Sequence, residues 1–126
     1  MLIDDNPDDN FIHNRVIRKA NAANHIIVKE SAIEALEYLK AKHTHPNQHP
    51  NLIFLDINMP RMNGWEFLQE YNLLEDAYKS NAIVVMLTTS DSPDDKLKAK
   101  KFENCFGFNI KPLTEKMLNE IIEKYC

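Results

Sequence analysis

The sequence predicts a three-layer α/β fold, in which a five-stranded parallel sheet lies between helices on both of its faces. Five short apolar segments alternate with stretches whose apolar residues recur at helical spacing. Two of these segments, Leu52 to Leu55 and Ile83 to Leu87, are apolar at every position, as is typical of central strands in a parallel sheet. Strands that alternate with helices in this way form parallel sheets with right-handed crossovers.

The composition is that of one globular domain, which we expect to span residues 1–126. The net charge of −4 argues against a broad basic surface for nucleic acid, and the two glycines are too few for a glycine-rich phosphate loop. No apolar run approaches the roughly 18 residues of a membrane span, and no signal-peptide pattern is present. We therefore expect a cytoplasmic protein in which Cys105 and Cys126 are unpaired thiols.

The first strand and helix are predicted from a short apolar start and a capping signal. Leu2 and Ile3 form the end of a short strand. Asn6 and Pro7 then provide an N-cap and a first helical residue, and the acidic residues after them favour a helix N-terminus. Apolar residues recur about every four positions along this helix. We expect the following residues to face the core: Ile12, Val16, Ile17 and Ala20.

The second strand and helix are predicted from a β-branched segment and a capping box. Residues 25–28 end in three consecutive β-branched residues, which favours a strand. Ser31 and Glu34 have the spacing of a capping box at the start of a helix. The polar segment from His43 to Pro50 is predicted to be a loop, whose histidines we expect to be solvated. The apolar residues at helical spacing are Ala32, Ala35, Leu36 and Leu39.

The third unit begins with the apolar strand from Leu52 to Leu55. The turn residues Pro60 and Gly64 follow it, and the apolar pattern after them predicts a helix from Trp65 to Leu74. We expect its buried residues to be Phe67, Leu68, Tyr71 and Leu74.

The fourth and fifth units repeat the same pattern. After the strand at Ile83 to Leu87, Ser92 and Pro93 indicate the start of a lysine-rich helix. The last strand is predicted over Cys105 to Ile110, and Thr114 is expected to cap the last helix. The residues expected to face inward from that helix are Met117, Leu118, Ile121, Ile122 and Tyr125.

Polar side chains follow four of the predicted strands where those strands end. Asp4 and Asp5 follow the first strand, Asp56 the third, Thr88 ends the fourth and Lys111 follows the fifth. Parallel strands bring their carboxyl ends to one edge of the sheet, where ligands of α/β proteins bind. Three carboxylates in one pocket repel one another, and Mg²⁺ relieves that repulsion while binding phosphate oxygens. The residues therefore predict a Mg²⁺ site at which Asp56 attacks phosphorus and forms an aspartyl-phosphate.

Each of these signals has an ordinary structural explanation when it stands alone. Acidic residues after a strand often serve a helix N-terminus, and we assign that role to Asp8 and Asp9. A threonine at a strand end is commonly a capping group, and a Lys-Pro pair is usually a turn. It is the combination, in this order and at these strand ends, that favours a phosphoryl-transfer site.

The chain resembles a response-regulator receiver domain over essentially its whole length. The motifs that carry the resemblance are the acidic pair after the first strand, residues 56–64, Thr88, and residues 107–112. The resemblance implies a flavodoxin-like sheet in the order 2-1-3-4-5 with five helices. It also implies a switch of a two-component phosphorelay, activated by phosphorylation.

The resemblance assigns the phosphoacceptor and the Mg²⁺ ligands. Asp56 is expected to accept the phosphoryl group. Mg²⁺ is expected to bind Asp5, Asp56 and the backbone carbonyl of Asn58 directly, and Asp4 through a water molecule.

The resemblance also assigns the groups that bind the phosphoryl group and the switch. Lys111 and Thr88 are expected to contact phosphoryl oxygens, and Thr88 and Phe108 to change position together. The bond between Lys111 and Pro112 is expected to be cis, which a proline permits at about 0.5–1 kcal/mol.

The partners implied are a sensor histidine kinase or phosphotransfer protein and an unidentified downstream protein. The downstream surface would be formed by the fourth helix, the fifth strand and the fifth helix, and it could also support a phosphorylation-dependent dimer. We expect no direct contact with nucleic acid or membrane.

Two rival interpretations stay open at this stage. A Mg²⁺-dependent phosphatase resembling the haloacid dehalogenases also uses an aspartyl nucleophile, but places an acid two positions later, where this chain has Asn58. A degenerate receiver that only binds partners would have lost site residues, and none is lost. We therefore expect a protein that catalyses only its own phosphorylation and dephosphorylation and is not otherwise an enzyme.

Overall fold

The computed structural model describes residues 1–41, 49–74, 82–102 and 105–125. Within them lies a parallel sheet whose five strands are ordered β2-β1-β3-β4-β5. This confirms the flavodoxin-like order that the resemblance implied. The strands are β1 (Leu2–Ile3), β2 (Val28–Lys29), β3 (Leu52–Leu55), β4 (Ile83–Thr88) and β5 (Cys105–Ile110).

Within the described ranges, four helices connect successive strands and a fifth follows β5. None of these helices is both long and apolar enough to cross a membrane. Side-chain caps begin α1 and α2 as the sequence predicts, with Asn6 and Ser31 accepting backbone amides. Asn63 caps α3 in the same way, which the sequence analysis did not predict. The helices are α1 (Pro7–Lys19), α2 (Ala32–Lys40), α3 (Gly64–Asn72), α4 (Pro93–Ala99) and α5 (Glu115–Tyr125).

The core is divided by the sheet into two layers, as expected for a three-layer fold. Because successive strand residues point to opposite faces, Ile53 and Leu55 of β3 pack on one side while Phe54 packs on the other. The side of Ile53 is covered mainly by α2 and α3, and the side of Phe54 by α1 and α5. β3 and β4 are therefore buried on both faces, which is the physical reason that their sequences are continuously apolar.

The second strand is shorter than predicted and lies later in the chain. The sequence favoured residues 25–28, whereas β2 is the two-residue strand Val28–Lys29. It is an edge strand among the described residues, and its neighbour β1 offers two residues for pairing, Leu2 opposite Val28 and Ile3 opposite Lys29. The length of an edge strand is set by its partner, which β-branched composition does not reveal.

The first helix presents a different face to the core from the one predicted. Ile12 was expected inside, but 47% of it is exposed, whereas Asn10 and His13 are only 4% and 2% exposed. Asn10 donates from Nδ2 to the Asp4 carbonyl over 2.8 Å. The start of α1 thus packs against the polar edge of the sheet rather than the apolar core, and polar residues occupy its inner face there. Ile17 is buried as predicted.

Other boundary predictions differ by a few residues or cannot be compared. α3 ends at Asn72 rather than at Leu74, which is half-buried. In α5, Leu118 and Ile121 are buried, and Met117, Ile122 and Tyr125 pack partly buried against them, as predicted. Most of the predicted loop from His43 to Pro50, and Cys126, lie outside the described residues.

Gly64 allows α3 to begin against the end of β3. Its amide donates to the Ile57 carbonyl over 2.8 Å. A Cβ atom at this position would lie 2.5 Å from the carbonyl oxygen of Asp56, which is too close for any side chain. The absence of a side chain at Gly64 therefore sets how closely α3 approaches the backbone of Asp56.

We expect Gly64→Ala to lower the free energy of unfolding by about 1–3 kcal/mol, because the backbone of Asp56 and α3 must separate. Gly107→Ala is the matched control, since its Cβ would meet only side-chain atoms of Val85 and Asn109, at 3.4 Å and beyond. Urea unfolding of both variants measures the difference. An equal loss in the two variants would contradict this account of Gly64.

Candidate functional site

Three carboxylates meet at the carboxyl edge of the sheet. Asp4 and Asp5 follow β1, and Asp56 follows β3, which pairs with β1 through Ile3 and Leu55. One carboxylate oxygen from each of the three lies within 4.8 Å of the others. Asp4 and Asp56 are buried, whereas Asp5 is exposed. The acidic cluster expected from the sequence is therefore present, with its open side at Asp5.

Lys111 supplies a positive charge that offsets part of the negative charge of this cluster. It follows β5, and its amide donates to the Thr88 carbonyl over 2.9 Å. Its Nζ atom lies 2.6 Å from Oδ2 of Asp4, 2.8 Å from Oδ2 of Asp9 and 3.6 Å from Oδ2 of Asp56. The peptide bond between Lys111 and Pro112 is cis. Lys111 thus joins the ends of β1, β3 and β5 and the first turn of α1.

The ammonium group of Lys111 stays charged in this setting. Burial acts to lower the pKa of Lys111, but hydrogen bonds to Asp4 and Asp9 and the negative charge of Asp56 outweigh burial. The net result is a pKa above the ordinary lysine value. The site therefore keeps a permanent cation next to Asp56 at neutral pH.

Asp56 is a carboxylate whose ionisation is strongly affected by its surroundings. It is only 6% exposed, and its Oδ1 accepts the Ile57 amide over 2.9 Å. Burial and then the negative charge of Asp4 raise its pKa from 3.8 to about 6, against the opposing effects of Lys111, Thr88 and the Ile57 amide. Asp56 is therefore mainly ionised at neutral pH but is held as an ion at a cost, which a bound cation would relieve.

Thr88 and Phe108 lie on the adjacent strands β4 and β5, and Thr88 contacts this carboxylate. Thr88 is fully buried at the end of β4, where its side chain hydrogen-bonds Asp56 and accepts the Ser90 amide over 3.3 Å. Phe108 pairs with Met86 between β4 and β5, and Thr88 pairs with Ile110, two residues further along β5. It is half-buried and packs against the core layer that α2 and α3 cover.

Asp9 is a site residue that the sequence analysis assigned only to the helix N-terminus. The cap is Asn6, as predicted, and its Oδ1 accepts the amides of Asp8 and Asp9 over 3.0 and 3.3 Å. The side chain of Asp9 instead reaches Lys111. Helical side chains point back toward the N-terminus, so a first-turn residue overhangs the edge at which its helix begins. That rule was the available signal for Asp9.

His13 is a second residue that the sequence analysis missed. It lies one turn further along α1 and is 2% exposed. Burial, followed by the charge of Lys111, lowers its pKa, while Asp9 and Asp4 oppose the change. His13 is therefore a neutral group beside the charged cluster. The spacing of four residues between Asp9 and His13 does not by itself predict that His13 lies beside the site.

The donor set fits a hard divalent cation. Three carboxylates on a partly open edge, with Asp5 exposed to solvent, match the preference of Mg²⁺ for a few carboxylate oxygens and several waters. No histidine or cysteine joins this cluster among the described residues, so softer metals are not favoured.

Comparisons with known proteins find a matching family model and several similar proteins. The chain matches the family model described as "Response regulator receiver domain" over residues 1–123. It is 29% identical over 108 residues to "Response regulator Rcp1" of Synechocystis sp., a match that covers 84% of this chain and 72% of that protein. A two-component response regulator from Cytophaga hutchinsonii has a crystal structure that is 31% identical with a TM-score of 0.83, covering 98% of this chain and 92% of that one. The crystal structure of a two-component response regulator from Legionella pneumophila is 32% identical, with a TM-score of 0.80. That match covers 98% of this chain and 95% of the other.

We expect Asp56→Asn to stabilise the metal-free protein above neutral pH. The pKa of Asp56 in the folded state is raised to about 6, so the folded protein binds the Asp56 proton more tightly than the unfolded chain does. This preference stabilises the fold fully below the ordinary pKa of 3.8, and the stabilisation is lost as the pH rises through 6. Asparagine carries no charge at any of these pH values. The gain in unfolding free energy should be about 1–3 kcal/mol near pH 8 and should shrink toward pH 4.

Chemical denaturation in a chelating buffer, repeated across this pH range, measures the gain. Asp8→Asn is the control, because Asp8 is an exposed first-turn aspartate. A gain for Asp56→Asn that is independent of pH would contradict the assignment of a raised pKa.

Proposed function

We propose that this chain, which belongs to the response regulator receiver domain family of two-component signalling, is a switch. It would receive a phosphoryl group on Asp56. The donor would be a sensor histidine kinase or a phosphotransfer protein. The observation that supports this most directly is the setting of Asp56, a buried carboxylate at the sheet edge with Asp4, Asp5 and Lys111 around it. The proposed receiver domain occupies residues 1–126.

Mg²⁺ is the proposed cofactor. Asp5 and Asp56 would bind it directly and Asp4 through a water molecule, which the 4.8 Å cluster supports. The carbonyl of Ile57 is engaged by the Gly64 amide, and the next carbonyl along the chain, that of Asn58, is the proposed backbone ligand. The ion would neutralise carboxylate charge and bind oxygens of the incoming phosphoryl group.

In the proposed reaction, a carboxylate oxygen of Asp56 attacks phosphorus. A new O–P bond forms while the P–N bond of a donor phosphohistidine breaks, and the imidazole nitrogen leaves with the bonding electrons. Lys111 and the Thr88 hydroxyl would bind oxygens of the transferred group, where positioning and charge neutralisation provide most of the catalysis. Attack by water at phosphorus later restores the Asp56 carboxylate and releases phosphate.

The protein would catalyse only these two reactions of its own aspartate. A phosphatase of the aspartyl-nucleophile class needs an acid to protonate the leaving group of its substrate. Asn58, two positions after Asp56, cannot supply that proton. The retained site residues argue equally against a degenerate receiver, because Asp4, Asp5, Asp56 and Lys111 are in contact or near contact.

The proposed output surface consists of α4, β5 and α5. Leu97 in α4 and Phe106 and Ile110 in β5 are exposed hydrophobic residues on these elements. Tyr125 packs against Phe106 with ring centroids 5.5 Å apart and donates a hydrogen bond to the Phe106 carbonyl. A downstream protein, or a second phosphorylated copy, would dock here. Nucleic acid and membrane are not proposed partners, and the proposed setting is the cytoplasm.

Incubation with acetyl phosphate and Mg²⁺ tests the acceptor directly. We expect the intact mass of the wild-type protein to increase by one phosphoryl group, and Asp56→Asn to gain none. Asp8→Asn is the control and should be phosphorylated, and a chelator should abolish the gain in every variant. A phosphorylated Asp56→Asn protein would disprove the acceptor assignment, and steady turnover of phosphomonoesters would favour the phosphatase instead.

The switch should exchange between two conformations before phosphorylation. A phosphoryl group can shift such an equilibrium only through its different affinity for the two states, so the active state must exist as a minor population. Relaxation-dispersion NMR of the unphosphorylated protein should detect microsecond-to-millisecond exchange at Thr88 and Phe108. Thr88→Ala should alter the exchange at Phe108. Absence of exchange at both residues in the wild type would contradict a pre-existing switch.

A further inference from the structure

We propose that Asp9 competes with the incoming phosphoryl group for Lys111 and thereby limits how readily Asp56 accepts phosphate. The inference rests on the proposed phosphorylation of Asp56 and adds a regulatory residue to it. Asp9 would be a positioning residue, because it would act through Lys111 without touching the phosphoryl group.

The hydrogen-bonding capacity of Lys111 is the first observation. An ammonium group has three donors and no acceptor. Its short contacts in this structure are to Asp4 at 2.6 Å and Asp9 at 2.8 Å, whereas Asp56 lies at 3.6 Å. The short contacts of Lys111 are therefore to Asp4 and Asp9 rather than to Asp56, and a phosphoryl oxygen on Asp56 must draw the ammonium group toward itself.

The two short bonds differ in their relation to the metal cluster. Asp4 belongs to the group of carboxylates that can share a cation, whereas Asp9 does not. The bond between Asp9 and Lys111 can therefore be lost without disturbing a cation at that group. Asp9 is also partly open to water, with 29% of its side chain exposed, so solvent can hydrate its carboxylate once Lys111 leaves.

The position of Asp9 explains why it would compete with the phosphoryl group rather than move with Lys111. Its amide is held by the Asn6 cap over 3.3 Å, and the next residue, Asn10, is tied to the Asp4 carbonyl over 2.8 Å. The first turn of α1 is thus anchored to the end of β1. When Lys111 moves toward Asp56, the anchored Asp9 cannot follow, and its charge-assisted hydrogen bond weakens.

The opposite role is the principal alternative. Asp9 could hold Lys111 in the orientation that reaches the phosphoryl group, in which case its removal would slow phosphorylation. A general effect of negative charge on an anionic donor is a second alternative. Asp8, which is exposed in the same turn of α1, provides the matched control for that effect.

The experiment compares wild type, Asp9→Asn and Asp8→Asn with acetyl phosphate and Mg²⁺. We expect Asp9→Asn to be phosphorylated about three- to tenfold faster, the range for one partly exposed charge-assisted hydrogen bond, and Asp8→Asn to stay within about twofold of wild type. Beryllofluoride, which mimics the phosphoryl group, should bind Asp9→Asn more tightly by a similar factor in calorimetry. Asp9→Ser provides a second variant in case Asp9→Asn does not fold.

Two further readouts separate this role from a structural one. In a Lys111→Ala background, Asp9→Asn should leave the phosphorylation rate unchanged, because the competition requires the ammonium group. In the metal-free protein labelled with ¹⁵N-lysine, the Lys111 ammonium resonance should shift in Asp9→Asn and not in Asp8→Asn.

The outcomes distinguish the inference from the function on which it rests. If wild type is phosphorylated on Asp56 while Asp9→Asn reacts at the same rate or more slowly, the competition is disproved and the proposed function stands. If both aspartate variants accelerate equally, the effect is general charge and the inference again fails. If wild type gains no phosphoryl group, both proposals are overturned.

Discussion

The ammonium group of Lys111 among buried carboxylates is the interaction on which the arrangement of this site depends. Asp4 and Asp56 are both buried, and two carboxylates at such a distance from bulk water repel strongly unless a cation is held between them. Burying an ion pair recovers its desolvation cost only when the geometry is good and the remaining hydrogen bonds are made. The strands and α1 provide that geometry, because they hold carboxylates from distant parts of the chain within 3.6 Å of the Lys111 ammonium nitrogen.

The framework that holds these charges is apolar and tightly constrained. The alternating side chains of β3 and β4 pack into two separate core layers, which keeps Asp56 and Thr88 at the ends of rigid strands. Gly64 lets α3 begin in contact with the backbone of Asp56. A site assembled on strand ends is positioned more accurately than one on loops, as the proposed phosphoryl transfer would require.

The electrostatics of the site are better suited to a bound ligand than to the stability of the free protein. Asp56 has a pKa raised to about 6 and carries its charge at a cost in the folded state. A cost of this kind in the free protein is common at sites that respond to a bound ion. The ion then stabilises the state that binds it and leaves the other state unchanged. Because the chain belongs to the receiver family, we interpret the cost of ionising Asp56 as preparation for a bound ligand. In the further proposal, Asp9 of α1 restrains Lys111.

The sequence by itself determined the central architecture and most of the site. Continuous apolar runs identify β3 and β4, capping residues locate the starts of α1 and α2, and the acidic and basic residues at strand ends indicate one shared edge. The tertiary structure alone decided the rotation of α1, which turns Ile12 outward, and the contact between Asp9 and Lys111, 102 residues apart. Local patterns encode burial and capping, but the partner of a side chain across the fold depends on how whole elements pack, which no local pattern records.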